Sequence, residues 1–68
     1  MVKNRLLEIR LKLGYKKQKD FAAMLGVNYI KYNKWENNLC QPGVETLLKM
    51  AEKIGCKVDD IVYLYDDN

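Results

Sequence analysis

The 68-residue chain contains no histidine and only two cysteines, and both shortages exclude classes of function. Histidine is the commonest general base and a frequent metal ligand, so its absence counts against hydrolytic enzymes and zinc sites. Cys40 and Cys56 alone cannot supply the four ligands of a structural zinc ion. Nothing in the sequence resembles a nucleophile elbow or a phosphate-binding loop. The sequence therefore predicts a protein that is not an enzyme and that needs no metal or cofactor.

Long apolar segments are also lacking. The longest run without a charged residue is FAAMLGVNYI at residues 21–30, ten residues that include a glycine. Because a membrane-spanning helix needs about 20 apolar residues, we expect no membrane association. No signal peptide is recognisable, which predicts a cytoplasmic protein whose two cysteines remain free thiols.

Charge is unevenly distributed along the chain. Residues 1–34 carry nine Lys and Arg against two acidic residues, whereas residues 35–68 carry three Lys against seven acidic residues. This asymmetry fits a face that meets an anion such as nucleic acid, and it equally fits an ordinary solvated helical surface. Charge alone does not separate the two interpretations.

Hydrophobic spacing and turn residues divide the chain into five segments. Apolar residues at helical spacing predict five short helices, at about residues 4–13, 18–25, 29–37, 44–54 and 58–64. Gly26 ends the second helix, Asn28 is a good N-cap for the third, and Pro42 keeps residues 37–43 as a loop.

The first predicted helix carries a broad apolar stripe made of Leu6, Ile9 and Leu13, widened by Leu7 and Leu11. No segment alternates with the period of two that indicates a β-strand. We therefore expect an all-α fold, a compact bundle of five short helices that forms a single domain over residues 1–68.

The connection between the second and third helices is the most specific signal in the sequence. The second helix ends at Gly26 and the third is capped only two residues later, at Asn28. So short a connection containing glycine gives two helices that cross at about 90–120°, the helix-turn-helix. We place this motif at about residues 18–37, with Tyr32, Trp35 and Glu36 facing inward.

Four stretches of the sequence, in the same order along the chain, resemble the motifs of the Cro/lambda-repressor-like helix-turn-helix family, also called the XRE family. The relevant stretches are QKDFAAMLGVN at residues 18–28, Trp35-Glu36, Pro42 and LLKMA at residues 47–51. The resemblance covers roughly residues 4–64. It implies a sequence-specific regulator of transcription, with a repressor as the expected role, bound to double-stranded DNA.

The resemblance also implies roles for individual residues. The third helix, about residues 29–36, would enter the major groove as the recognition helix. Its candidate base-reading residues are Tyr29, Ile30, Asn33 and Lys34. The candidate phosphate contacts are Lys16, Lys17, Gln18, Asn28, Lys31, Asn37 and Asn38. Relatives of this type pair an Arg of the first helix with the Glu that ends the recognition helix, which here implies an ion pair between Arg10 and Glu36.

The lysines at the start of the second helix are in an electrostatically unfavourable place, and DNA binding would explain them. Lys16, Lys17 and Lys19 crowd a helix N-terminus, where the helix dipole repels cations. A DNA phosphate at that end would favour them. The family usually has an aliphatic residue where Tyr32 stands, so the Tyr32 hydroxyl either packs inside or reaches a phosphate.

Two partners are expected, DNA and a second copy of the chain. A homodimer would read an inverted repeat with half-sites one DNA turn apart, about 34 Å. Tyr63, Leu64 and Tyr65 are candidates for the dimer contact, and the alternative for residues 65–68 is a disordered tail. The competing hypothesis is an antitoxin-like module that binds a toxin or regulatory protein partner through the acidic half of the chain.

Overall fold

The computed structural model describes residues 1–66, which form five helices and two short strands. In chain order the elements are β1 Val2–Asn4, α1 Leu6–Lys12, α2 Gln18–Leu25, α3 Tyr29–Glu36, α4 Val44–Ile54, α5 Val58–Ile61 and β2 Val62–Leu64. The predicted all-α class is confirmed, with a small two-stranded sheet added. Within residues 1–66, no helix has the length and apolar character needed to cross a membrane.

Helices α2 and α3 are joined by a tight turn built on glycine. Gly26 follows α2 with φ of +73°, a left-handed conformation that residues with a Cβ rarely adopt. The Val27 N–H donates to the carbonyl of Ala22 at 3.0 Å, which closes the end of the helix. Helix α3 then begins at once, because the Asn28 side chain accepts a hydrogen bond from the Lys31 N–H at 3.1 Å.

Each of the five helices contributes one large, fully buried side chain to the core, namely Leu6, Phe21, Tyr32, Met50 and Ile61. Phe21 lies between two tyrosines. Its ring centroid is 5.2 Å from that of Tyr15 and 5.6 Å from that of Tyr32, the latter edge to face. Such aromatic contacts favour one arrangement of α2 and α3 over others of similar apolar burial.

Helix α1 is shorter and less buried than its sequence predicted. It covers Leu6–Lys12, and Leu7, Leu11 and Leu13 are about half exposed. The predicted broad stripe is therefore wrong. Leu6 is buried, and Arg10, one turn further along the same side, occupies the next inward position.

The last predicted helix is wrong beyond Ile61. Val62–Leu64 forms β2, which pairs antiparallel with β1 in the register Val2 with Leu64, Lys3 with Tyr63 and Asn4 with Val62. Strands of three residues are too short to show alternation, and their partners lie at opposite ends of the chain. We call the two paired strands the terminal ribbon.

Basic side chains of the N-terminal segment cover the terminal ribbon on one side. The Lys3 ammonium lies 4.0 Å from the centre of the Tyr65 ring, and the Arg5 guanidinium lies 4.2 Å from that of Tyr63. The Tyr65 N–H donates to the Met1 carbonyl at 2.7 Å, so the ribbon contacts extend to residue 65. The last part of the predicted tail, residues 67–68, lies outside the described residues.

Asn4 is a buried polar hub that ties the terminal ribbon to the end of α3. Its side-chain amide donates to the Trp35 carbonyl at 2.6 Å and to Gln41 Oε1 at 2.7 Å. Its side-chain oxygen accepts from the Leu6 N–H at 3.0 Å, at the start of α1. Buried polar groups need such partners, so these bonds fix the position of β1. The sequence signal for this role was an Asn placed two residues before Leu6, where the apolar spacing of the first helix begins.

We expect Gly26→Ala to destabilise the protein more than Gly55→Ala. Both glycines have positive φ, so each substitution should cost about 1–2 kcal/mol of unfolding free energy. A Cβ at Gly26 would lie 2.6 Å from Lys53 Nζ, which donates to the Leu25 carbonyl at 3.0 Å, whereas a Cβ at Gly55 meets nothing within 4 Å. Displacing Lys53 should add about 0.5–1.5 kcal/mol. Urea denaturation measures both losses.

The Lys53→Met background is the control for this comparison. Without the ammonium group, Gly26→Ala and Gly55→Ala should lower the free energy of unfolding by the same amount. Equal losses in the otherwise wild-type protein would contradict the assigned role of Lys53.

Candidate nucleic-acid interface

A buried ion pair joins α1 to the last turn of α3. Arg10 Nη2 and Nε each lie 3.0 Å from one carboxylate oxygen of Glu36, a bidentate geometry. Arg10 Nη1 also donates to the carbonyls of Tyr15 and Lys16, at 3.0 and 2.7 Å. The two charged side chains are 8% and 5% exposed, so each depends on the other for its partner.

The surroundings of this pair shift the pKa values of Glu36 and of the neighbouring Tyr32. Burial alone would raise the pKa of Glu36, but hydrogen bonds from Arg10 and Gln18 outweigh burial and lower it below its ordinary value. Burial and the nearby Glu36 carboxylate raise the pKa of the Tyr32 hydroxyl, so it stays protonated. The Tyr32 side chain is fully buried and its oxygen reaches no partner at hydrogen-bonding geometry. The hydroxyl therefore packs inside and does not reach the surface.

The ion pair continues toward the surface through two amide side chains. Gln18 Nε2 donates to Glu36 Oε1 at 3.0 Å, and Asn33 Nδ2 donates to Gln18 Oε1 at 2.8 Å. Gln18 is the first residue of α2 and Asn33 lies in the middle of α3. These bonds place the N-terminus of α2 beside the outward side of α3. The sequence carried one signal for this link, because Asn33 precedes Glu36 by three residues and so shares its side of the helix.

The outer face of α3, which we define as Tyr29, Ile30, Asn33 and Lys34, presents mixed chemistry. Ile30 is 67% exposed and Tyr29 is 44% exposed. Lys34 is exposed, while Asn33 is half-buried by its contact with Gln18. Trp35 is on the opposite side and is buried in the core. The outer face can therefore offer hydrogen bonds, a charge and apolar contact to one partner.

The N-terminus of α2 is cationic and lacks a side-chain cap. Lys17 holds the N-cap position in extended backbone conformation and makes no capping hydrogen bond. Lys16, Lys17 and Lys19 are all exposed. The first N–H groups of a helix have no intrahelical acceptor, and they attract anions together with the helix dipole. This end of α2 is suited to a phosphate group.

Three asparagines predicted to contact phosphate have structural partners for part of their side chains. Asn28 uses its oxygen to cap α3. Asn37 donates to the Asn33 carbonyl at 2.9 Å. Asn38, with φ of +58°, accepts from the Asn4 N–H and from Gln41 Nε2, both at 3.0 Å. The side-chain oxygens of Asn28 and Asn38 therefore have a structural role. Side-chain N–H groups of the three asparagines remain for a further acceptor.

The three predicted dimer residues lie in or next to β2. Leu64 is 83% exposed, Tyr65 is 40% exposed and Tyr63 is half-buried. Val2, which pairs with Leu64 across the terminal ribbon, is 44% exposed. Side chains alternate along a strand, so Leu64 and Val2 share one face, whereas Tyr63 and Tyr65 lie on the other face beneath Arg5 and Lys3. Leu64 and Val2 therefore form the exposed apolar end of the ribbon.

Sequence comparison agrees with the geometry. A family model described as helix-turn-helix matches residues 6–61. The match runs from the start of α1 to the end of α5 and so includes the ion pair, the turn at Gly26 and the outer face of α3. No curated protein matches the chain.

The ion pair predicts a specific dependence of stability on pH. The folded-state pKa of Glu36 lies below the unfolded value of about 4.3, so its contribution is complete above that pH and is lost as pH falls through the folded-state pKa. Urea denaturation between pH 6 and 2 should therefore show a steep loss of stability below about pH 4. The double variant Arg10→Met/Glu36→Met should stay folded, since no charge is left unpaired, and should show a shallower loss.

The single variant Glu36→Gln is the informative comparison. It leaves a buried guanidinium without its counter-charge and should lower the free energy of unfolding by about 3–5 kcal/mol at pH 7. An unchanged acid slope in the double variant would show that other carboxylates cause the acid sensitivity.

Proposed function

Since this chain belongs to the Cro/lambda-repressor-like helix-turn-helix family, we propose that it is a sequence-specific DNA-binding regulator of transcription. The observation that carries the proposal is the bond between Asn33 and Gln18, at 2.8 Å. It sets the cationic N-terminus of α2 beside the outer face of α3. One duplex can therefore meet phosphate-binding and base-reading groups at the same time, which is the division of labour in protein–DNA recognition.

In the proposed complex the outer face of α3 lies in the major groove. Asn33 keeps its side-chain oxygen and one N–H available, the pair that adenine requires. Lys34 matches the O6 and N7 acceptors of guanine, and exposed Ile30 suits a thymine methyl group. Tyr29, at the first position of α3, packs on a thymine methyl group or donates to a phosphate.

Phosphate contacts would flank this face on both sides. The proposed donors at the start of α2 are Lys16, Lys17 and Gln18, whose second amide N–H is not used by Glu36. Near the ends of α3 the proposed donors are Lys31 and the remaining N–H groups of Asn28, Asn37 and Asn38. Release of counterions from DNA supplies much of the affinity of such contacts and makes it depend on salt.

We further propose that the protein acts in the cytoplasm as a homodimeric repressor on an inverted repeat. One domain with a single recognition helix reads only a few base pairs, and two-fold symmetry doubles that number. The apolar end of the terminal ribbon, with Leu64 and Val2 exposed, is the proposed dimer surface. A dimer seated on a promoter would block transcription by occupancy.

Selection from a pool of random duplexes tests this function. The wild-type protein is incubated with duplexes that contain a randomised window, and bound DNA is sequenced through several rounds. An enriched inverted repeat with half-sites one helical turn apart is the expected result. Failure to enrich any sequence, together with no binding to duplex DNA at low salt, would contradict the proposal and favour a protein partner.

Replacing Lys17 should change the salt dependence of binding. Each neutralised phosphate contributes about 0.9 to the slope of log K against log salt concentration. Lys17→Ala should therefore lower the slope by roughly one, as measured by fluorescence anisotropy with the selected duplex. Lys49→Ala is the matched control, because Lys49 is an exposed lysine of α4 that pairs with Glu45. Equal effects of the two substitutions would contradict the assignment.

Replacing Leu64 should separate the two subunits. The wild-type protein should sediment at twice the chain mass of 8.0 kDa, and Leu64→Asp should sediment as a monomer because it places a charge in the proposed apolar contact. Leu39→Asp is the control, since Leu39 is also strongly exposed but lies in the loop before α4. A Leu64→Asp protein that remains dimeric would rule out the terminal ribbon as the dimer surface.

A further inference from the structure

Four side chains form a continuous chain of hydrogen bonds from the core to the outer face of α3. Arg10 donates to Glu36, Gln18 donates to Glu36, and Asn33 donates to Gln18, with donor–acceptor distances of 2.8 to 3.0 Å. The inner end is buried and the outer end lies among the candidate base-reading residues. We call this chain of bonds the relay.

The chemistry of the inner end fixes the direction of every bond in the relay. A guanidinium only donates and a carboxylate only accepts. Gln18 must therefore turn its NH₂ group toward Glu36, which leaves its oxygen facing Asn33. Asn33 must in turn present its NH₂ group to Gln18. Rotating either amide by half a turn would bring two acceptors or two donors together in a partly buried site, where unmet hydrogen bonds are costly.

The outward edge of Asn33 thus has a defined order of donor and acceptor. One N–H is committed to Gln18, and the second N–H is available. The side-chain oxygen accepts only one long contact, 3.4 Å from Asn37 Nδ2. In the major groove an A·T pair and a T·A pair present the adenine donor and acceptor in opposite order. An amide that cannot rotate fits one of these orders and not the other.

We propose that Gln18 and Glu36 are positioning residues for base readout, which set the orientation of Asn33 and so let it distinguish A·T from T·A at one position of each half-site. This inference rests on the proposed function and goes beyond it, because it assigns specificity to residues that touch no base. The base contact itself is made by Asn33.

The test compares base preferences of four proteins: wild type, Gln18→Leu, Asn33→Ala and the double variant. Each is measured by fluorescence anisotropy on the selected duplex and on duplexes with A·T reversed to T·A at each position in turn. A bidentate amide contact discriminates by about 1–3 kcal/mol, or roughly 5- to 150-fold. Asn33→Ala should reduce the ratio of affinities for the A·T and T·A duplexes to about one at one base pair. Gln18→Leu should lower the ratio at the same base pair by at least about threefold, and in the double variant it should have no further effect on that ratio.

Gln18→Leu should also remove a phosphate contact and so weaken binding to all duplexes equally. The ratio of affinities for the A·T and T·A duplexes is insensitive to that loss, so it reports only the orientation of Asn33. Gln41→Leu is the matched control. It removes an amide that bonds Asn4 and Asn38, away from the outer face, and should leave every ratio unchanged even if stability falls. Gln18→Ala serves as a second variant, and thermal unfolding checks that each protein is folded.

The outcomes distinguish this inference from the proposed function. A uniform loss of affinity in Gln18→Leu with unchanged ratios would overturn the relay and leave the DNA-binding function intact. A lowered ratio at a base pair that Asn33→Ala does not affect would show that Gln18 reads a base directly, which also overturns it. No sequence preference in the wild-type protein would overturn both.

Discussion

The buried contact between Arg10 and Glu36 is the constraint on which the rest of the structure depends. One guanidinium donates to both carboxylate oxygens and to the carbonyls of Tyr15 and Lys16. It thereby joins α1, the loop before α2 and the last turn of α3. Apolar residues of similar volume often stabilise a protein as much as a buried ion pair does. We therefore attribute the value of this pair to specificity, because its hydrogen-bond partners come from three separate segments that must be correctly placed together.

The same pair organises the surface proposed to meet DNA. The Glu36 carboxylate holds Gln18 at the start of α2, and Gln18 holds Asn33 on α3. The cationic helix end and the outer face of α3 therefore keep a fixed relation before any ligand arrives, which reduces the ordering cost of binding. The lysines beside Gln18 oppose the helix dipole by a few tenths of a kcal/mol each in the free protein. Such an unfavourable local arrangement, in a fold that is otherwise consistent with its sequence, is expected at a functional site.

Local signals in the sequence were sufficient for the middle of the fold and insufficient for its ends. Helices α2, α3 and α4 match the predicted spans because Gly26, Asn28 and Gly55 act on adjacent residues. The terminal ribbon joins opposite ends of the chain through backbone bonds, and no local pattern encodes such pairing. In the candidate site, the exposed positions of α3 followed from helical spacing. The contact of Gln18 with Asn33 depends on how two helices cross, which the spacing of residues along one helix does not specify.

We propose that the N-terminus of α2 and the outer face of α3 form one DNA-binding surface. The most direct test is to record backbone amide NMR spectra of the ¹⁵N-labelled protein as a selected duplex is added. We expect the largest chemical-shift changes at residues 16–19 and 28–34 and only small changes along α4. Largest changes along α4 or the terminal ribbon, with residues 16–19 and 28–34 unaffected, would contradict it.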